Sequence, residues 1–305
     1  MIAFLACIIN VKGGICRGCH LCFCKGEFMV IDGKKVADNL LKNIDVAGTK
    51  LAVVLVGDNP ASKIYVKNKI KKCDELGVGH VVYSLEPTVD KDMIIGLINN
   101  LNDNKDITGI FVQLPLPKLL QPYEEEILQS IAPNKDVDGF TDINVGRLHL
   151  NKKCLTPCTA SGIIELINST EEDIDGKHAV VIGRSNIVGK PVAEMLLNKN
   201  CTVTICHSHT ANLDKITKQA DILIVAVGKK EFINAKMVKN GAIVIDVGIN
   251  REEGSKNIYG DVDFDSVSKK ASWITPVPGG VGKTTIAMLM KNISEAKKLQ
   301  KVVDR

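Results

Sequence analysis

Apolar residues in this chain fall into short unbroken runs, separated by longer stretches in which they recur every three or four positions. The runs at 51–56, 80–85 and 109–114 predict strands. Helical periodicity predicts helices at 36–41, from 62 past 69, and at 91–102, with Pro122 marking another helix start. Such alternation implies a parallel sheet covered by helices.

A second unit of the same kind follows Thr156-Pro157. After a helix at 161–168 and a charged turn at 171–177, strands are expected at 178–182, 202–206, 221–227 and 241–247. Helices at 190–198, 213–220 and 235–240 separate them, and a last strand at 271–275 precedes a long helix at 284–301. Repeated βα units with glycine in the turn after the first strand describe a Rossmann-like domain. Ile286, Met290 and Ile293 give the final helix an apolar stripe with which to cross back onto the first domain. The expected fold class is therefore α/β in two domains. Residues 29–148, completed by 276–305, form the first, and 149–275 the second.

Length agrees, since 305 residues suit about two domains. With 39 basic against 35 acidic residues spread evenly, no nucleic-acid face is expected, and 4% aromatics leave few stacking platforms. No apolar run approaches a membrane span. Residues 1–28 break the pattern and carry five of the ten cysteines (Cys7, Cys16, Cys19, Cys22 and Cys24) without a second ligand pair at zinc-finger distance. They read as a disordered or spurious extension, and every patterned element lies after residue 28. The other five cysteines read as buried thiols of a reducing, cytoplasmic protein.

Candidate chemistry sits at strand ends. Tyr65 and Lys69 are four residues apart on one helical face, after the strand at 51–56 and the turn at Asp58-Asn59-Pro60. Gln113 ends the third strand, where its amide can hydrogen-bond an amine. Lys135-Asp136-Val137-Asp138-Gly139-Phe140 lacks the ligand pattern of a calcium loop. It reads either as an Asx turn or as a carboxylate for a donor-rich heterocycle. In the second unit, Gly183 and Gly189 bracket a turn at whose helix start free N–H groups favour a phosphate. The next strand ends Cys206-His207-Ser208-His209 with no acid for ribose hydroxyls, and Arg184 can grip a 2′-phosphate. Both features favour NADP over NAD. His207 and His209 read individually as surface histidines.

Taken in order, several stretches carry a resemblance. They are Tyr65-Val66-Lys67-Asn68-Lys69, Val112-Gln113-Leu114-Pro115-Leu116-Pro117, Asp136 to Phe140, Asn144-Val145-Gly146-Arg147-Leu148, Thr156-Pro157-Cys158-Thr159, the turn from Gly183 to Pro191, Asp246-Val247-Gly248-Ile249-Asn250, and Thr275 to Gly282. Together they resemble the bifunctional methylenetetrahydrofolate dehydrogenase/methenyltetrahydrofolate cyclohydrolase family, from residue 29 to about residue 298. The resemblance implies Lys69 as the central catalytic group, tuned by Gln113, with Tyr65 orienting folate and Asp138 gripping the pterin. Val112, Leu114 and the loop Pro278, Gly279, Gly280, Val281 and Gly282 would line the folate site. Gly183, Arg184, Ser185, Ser208 and Ile249 match cofactor-contact positions. It further implies tetrahydrofolate derivatives as partners, a homodimer through the nucleotide domain, and no metal.

One departure is Gly282-Lys283-Thr284-Thr285, where the family continues Gly-Pro-Met-Thr. Gly-Lys-Thr also ends a P-loop, but the glycine required five positions earlier is Val277. Two rivals remain: a two-domain dehydrogenase of the shikimate type, and a nucleotide-binding regulator with a metal-sensing Cys16–Cys24 segment.

Overall fold

The structure, a computed structural model, describes residues 28–252 and 257–303; the cysteine-rich segment lies outside the described residues. The described residues begin with β1 (Met29–Val30) and α1 (Gly33–Leu41), then run through β2 (Lys50–Val56), α2 (Pro60–Leu76), β3 (Gly79–Leu85), α3 (Lys91–Asp103) and β4 (Gly109–Val112). β2 is central in a parallel three-stranded sheet ordered β3-β2-β4. Its side chains from Leu51 to Val56 are all buried, as expected of a strand covered on both faces. β3 at the edge alternates exposed and half-buried positions.

α2 carries the Tyr65/Lys69 pair, and its ends are well defined. Asn59 caps the start by accepting from the N–H groups of Ala61 and Ser62, Pro60 occupies the first turn, and Gly77 closes the helix at φ 73°. Ser62, Val66, Lys69 and Cys73 form its buried face, at the helical spacing that turns them inward together.

Two short helices, α4 (Glu124–Gln129) and α5 (Asp142–His149), lead into α6 (Cys158–Asn168). The second sheet is built from β5 (His178–Ile182), α7 (Gly189–Leu197), β6 (Thr202–Cys206), α8 (Leu213–Thr217), β7 (Ile222–Val225) and β8 (Ile243–Asp246). A two-stranded ribbon, β9 (Asn250–Arg251) with β10 (Ile258–Tyr259), precedes α9 (Phe264–Val267), β11 (Trp273–Ile274) and α10 (Val281–Val303). The helix expected at 235–240 is only a 3-10 turn, Ala235–Met237.

All six strands of this sheet are parallel, in the order β1-β11-β8-β7-β5-β6. Here the structure adds something the pattern did not indicate. Residues 29–30, for which the sequence pattern indicates no strand, form one beside β11 in the sheet of the other domain. The described residues therefore pass through one domain's sheet before building the other.

α10 returns as expected and bridges both units. Val281 joins the core that includes Ala160, Ile163 and Val192, whereas Met288, Leu289, Met290, Ile293 and Ala296 pack with Leu51, Val53 and Phe111. Each of the larger side chains among these contributes roughly 1.5–3 kcal/mol. The helix also begins earlier than the pattern suggested, at Val281, so Val281 and Gly282 form its first turn. Thr284 is fully buried against Gly162, where any side chain would come within 2.7 Å of its hydroxyl. Lys283 stays exposed.

Candidate active site

Lys69 is 8% exposed, and its amine lies 3.1 Å from Gln113 Oε1. Two backbone facts set that contact. Gln113 continues from β4, with its N–H donating to Val54 O at 2.9 Å, which fixes the residue at the carboxyl end of the sheet. Its side-chain Nε2 then donates to Leu114 O, so the amide oxygen faces Lys69. The amine also stands 3.4 Å above the centre of the Phe111 ring, a contact that favours a cation. Phe111 was not singled out in the sequence; its position two residues before Gln113 on one strand face was the available signal.

Burial pulls the Lys69 amine below the ordinary lysine range, with the Asp138 carboxylate opposing that shift. Asp138 moves the other way, to about 7, because burial disfavours its charge and Asp136 adds repulsion, while Lys69 holds it down. Burial thus brings the acid and the amine toward each other in pKa, which eases proton exchange between them.

The two carboxylates of the Asp136-Val137-Asp138 stretch divide the roles left open by the sequence. Asp136 is the Asx-turn residue. It accepts from the N–H groups of Gly139 and Thr141, the Thr141 hydroxyl and the Asn144 amide. Gly139 at φ 71° packs against the 155–157 backbone, leaving Asp138 as the carboxylate facing Lys69. The stretch is aligned because Asp136 bridges to Ile110 of β4, and Gly109 has no side chain where Val137 lies.

Two further residues belong to this cluster. Cys158 donates its thiol to Val137 O at 3.3 Å, and burial raises it well above the usual thiol range. Asn292 of α10 donates to Val137 O and to Thr156 O, both at 2.8 Å. Periodicity alone could not assign Asn292, because both its partners are distant in sequence.

Tyr65 is half-buried one turn before Lys69, and Val112 and Leu114 flank Gln113. The Pro278–Gly280 segment is held against α1, since a side chain at Gly33 would strike Gly280 O at 2.2 Å. It leads directly into α10, whose Asn292 reaches the backbone beside Asp138.

The second candidate site lies where open parallel sheets bind dinucleotides. Strand order reverses between β5 and β7, which places the crevice at their carboxyl ends. Gly183 turns out of β5 at φ 125°, and a side chain there would meet Ala226 O at 2.3 Å. One detail differs from expectation. The N–H groups at the start of α7 are already used: Gly189 donates to Ser185 Oγ, Lys190 to Ser185 O, and Pro191 has none. The unused donors are one turn earlier. Among the described residues, nothing accepts from the backbone N–H groups of Arg184, Ser185, Asn186 and Ile187. The donors available to an anion therefore lie on this exposed loop and not at the helix start. Arg184, Ser185, Ser208 and Ile249 are all exposed, just beyond the carboxyl ends of β5, β6 and β8.

Comparison with known proteins covers both domains. Residues 31–138 match the tetrahydrofolate dehydrogenase/cyclohydrolase catalytic domain, and residues 157–301 match the corresponding NAD(P)-binding domain. The chain belongs to the tetrahydrofolate dehydrogenase/cyclohydrolase family. It is an enzyme of that bifunctional class, a dehydrogenase and a cyclohydrolase. It is 52% identical to the bifunctional protein FolD of Listeria innocua, over 88% of this chain and 97% of that protein. Identity to FolD of Caldicellulosiruptor saccharolyticus is 55%, over 82% and 90%. The crystal structure of the bifunctional enzyme FolD from Campylobacter jejuni superposes with a TM-score of 0.83 at 48% identity, covering 90% of this chain and 99% of that one. The Trypanosoma brucei methylenetetrahydrofolate dehydrogenase-cyclohydrolase, complexed with NADP and an inhibitor, gives 0.85 at 34% identity, again covering 90% and 99%. Family membership sets aside the shikimate-type and regulator readings.

Proposed function

We propose that this family member oxidises 5,10-methylenetetrahydrofolate with NADP+ and hydrolyses the resulting methenyl compound to 10-formyltetrahydrofolate, with Lys69 as the proton carrier. The observation that carries the assignment is the buried Lys69 amine held by Gln113 beside Asp138. Burial favours the neutral amine, whose lone pair can accept a proton, while the Phe111 face and Asp138 make the charged form reachable. In the hydrolytic step, water adds to the methenyl carbon. The new C–O bond forms as one water proton passes to Lys69 Nζ; the C–N5 bond then breaks as N5 takes that proton, and the hydroxyl releases the second water proton to solvent as the C=O forms, leaving formyl on N10. Gln113 keeps the amine aimed, Tyr65 orients the folate from the preceding turn, and Asp138 binds the pterin donors. Val112, Leu114 and residues 278–282 line the folate.

At the second site, Arg184 and Ser185 would hold NADP phosphates through the free loop donors, with Ser208 and Ile249 alongside. NADP supplies the hydride acceptor when bound. The missing acid after β6 and the exposed Arg184 support NADP over NAD. We also read the protein as a cytoplasmic homodimer serving one-carbon metabolism and purine synthesis. In support, β6 is a sheet edge with Ile205 41% exposed, an apolar strand available to a second copy. The five described cysteines are free, as expected of a reducing compartment. Among the described residues, no helix is long and apolar enough to cross a membrane.

The test supplies methylenetetrahydrofolate with NADP+ or NAD+ and follows methenyl formation and then its decay. Lys69→Met should lower methenyl hydrolysis by at least ~100-fold, the scale of general acid–base catalysis, while NADP+ binding stays within about twofold. Hydrolysis at the wild-type rate would remove Lys69 from the mechanism.

A further inference from the structure

Asp261 is completely buried and lies in the second domain, apart from the Lys69 cluster. Its carboxylate accepts from three consecutive backbone N–H groups: Val227 at 2.7 Å, Gly228 at 2.9 Å and Lys229 at 2.8 Å. A fourth donor, the Asn250 amide, completes the set at 2.8 Å. A peptide segment wrapped around a carboxylate in this way is folded by it. Residues 227–229 are the loop that leaves β7 at the strand-order reversal, next to Ala226, whose carbonyl faces Gly183. Asp261 is itself held from below. Asp246, at the end of β8, accepts from the N–H groups of Asp261 and Val262 at 2.9 and 3.0 Å and from Gly248 at 2.9 Å. A side chain at Gly248 would lie 2.2 Å from the Asp261 carboxyl, so the loop after β8 packs on the same group.

We propose that Asp261 is a positioning residue for the dinucleotide crevice: its carboxylate shapes the loop after β7 into the wall that faces the Gly183 turn. The inference deepens the NADP reading of this site and rests on it. Because Asp261 is buried behind the loop, it acts through the backbone of 227–229 and not on the cofactor directly. The folate site has its own supports in Asp136 and Asn292. Loss of Asp261 therefore affects one half of a two-activity enzyme.

The experiment compares Asp261→Asn with wild type in two assays below the unfolding temperature: dehydrogenase with varied NADP+, and methenyltetrahydrofolate hydrolysis without nucleotide. The amide cannot accept at both former oxygens, so the NADP+ KM should rise tenfold or more while hydrolysis stays within twofold. An NADP+ KM within twofold of wild type overturns the proposal, and so does an equal loss of both activities in a folded variant. Should Asp261→Asn not fold, Asn250→Ala decides. It removes only the fourth donor and should raise the NADP+ KM about threefold with hydrolysis unchanged; an unaltered KM overturns the proposal. Absence of NADP+-dependent oxidation in the wild type would instead defeat the assignment of function, independently of Asp261.

Discussion

Asn292 donates its side-chain amide to the carbonyl of Val137, 155 residues earlier, at 2.8 Å. The same nitrogen donates to Thr156 O, so one buried amide on the final helix closes the backbone on both sides of the Asp138 site. Asn292→Ala takes the side-chain donor from Thr156 O and leaves Val137 O with only the weak Cys158 thiol. Each unsatisfied buried group costs about 1–3 kcal/mol. Thermal or denaturant unfolding should register a loss of that order, accompanied by a raised folate KM and an unchanged NADP+ KM. A variant with wild-type folate kinetics would show that α10 supports the fold without aligning Asp138.

Asp138 and Lys69 titrate against each other, and their signs are separable. The Asp138 carboxylate raises the Lys69 amine, so Asp138→Asn removes that support and lets burial lower it further. The limb of the hydrolysis pH profile that reports deprotonation of Lys69 should move to lower pH, beneath a reduced maximum. A limb displaced to higher pH would contradict the proposed coupling.

The same carboxyl leaves a mark on stability. Its pKa rises from 3.8 unfolded to about 7 folded, so folding favours the protonated acid. That contribution is fully present below about 3.8 and is lost as pH rises through about 7. Relative to Asp138→Asn, the wild-type melting temperature should therefore fall as pH rises across that window. A difference independent of pH would mean that the folded and unfolded pKa values are alike.

Arg184 lies exposed on the loop whose backbone donors are free. If it pairs with a 2′-phosphate, Arg184→Ala should raise the NADP+ KM by roughly 10- to 100-fold, the scale of a hydrogen bond to a charged group. The NAD+ KM should change much less. Equal effects on both cofactors would assign Arg184 to the shared pyrophosphate instead.

Much of this protein was determined by local sequence. The apolar runs of β2, β5, β7 and β8 are buried parallel strands, and that character follows from residue type over a few positions. The i, i+4 placement of Tyr65 and Lys69 is likewise a property of helix geometry. Gln113 could be placed at a strand end because Pro115 and Pro117 stop the run just beyond it.

Tertiary structure decided what depends on pairing between distant segments. Met29 and Val30 are too short a run to announce a strand, and they become one only because β11 offers an open edge. Asp136 and Asp138 are chemically alike and two residues apart; surrounding donors make one structural and leave the other beside Lys69. The α7 start looked like the anion site, yet Ser185 takes its N–H groups and leaves the preceding loop free. Asn292 and Asp261 carried no motif of their own. A buried polar side chain is defined by the donors and acceptors that reach it, and here those come from up to 155 residues away.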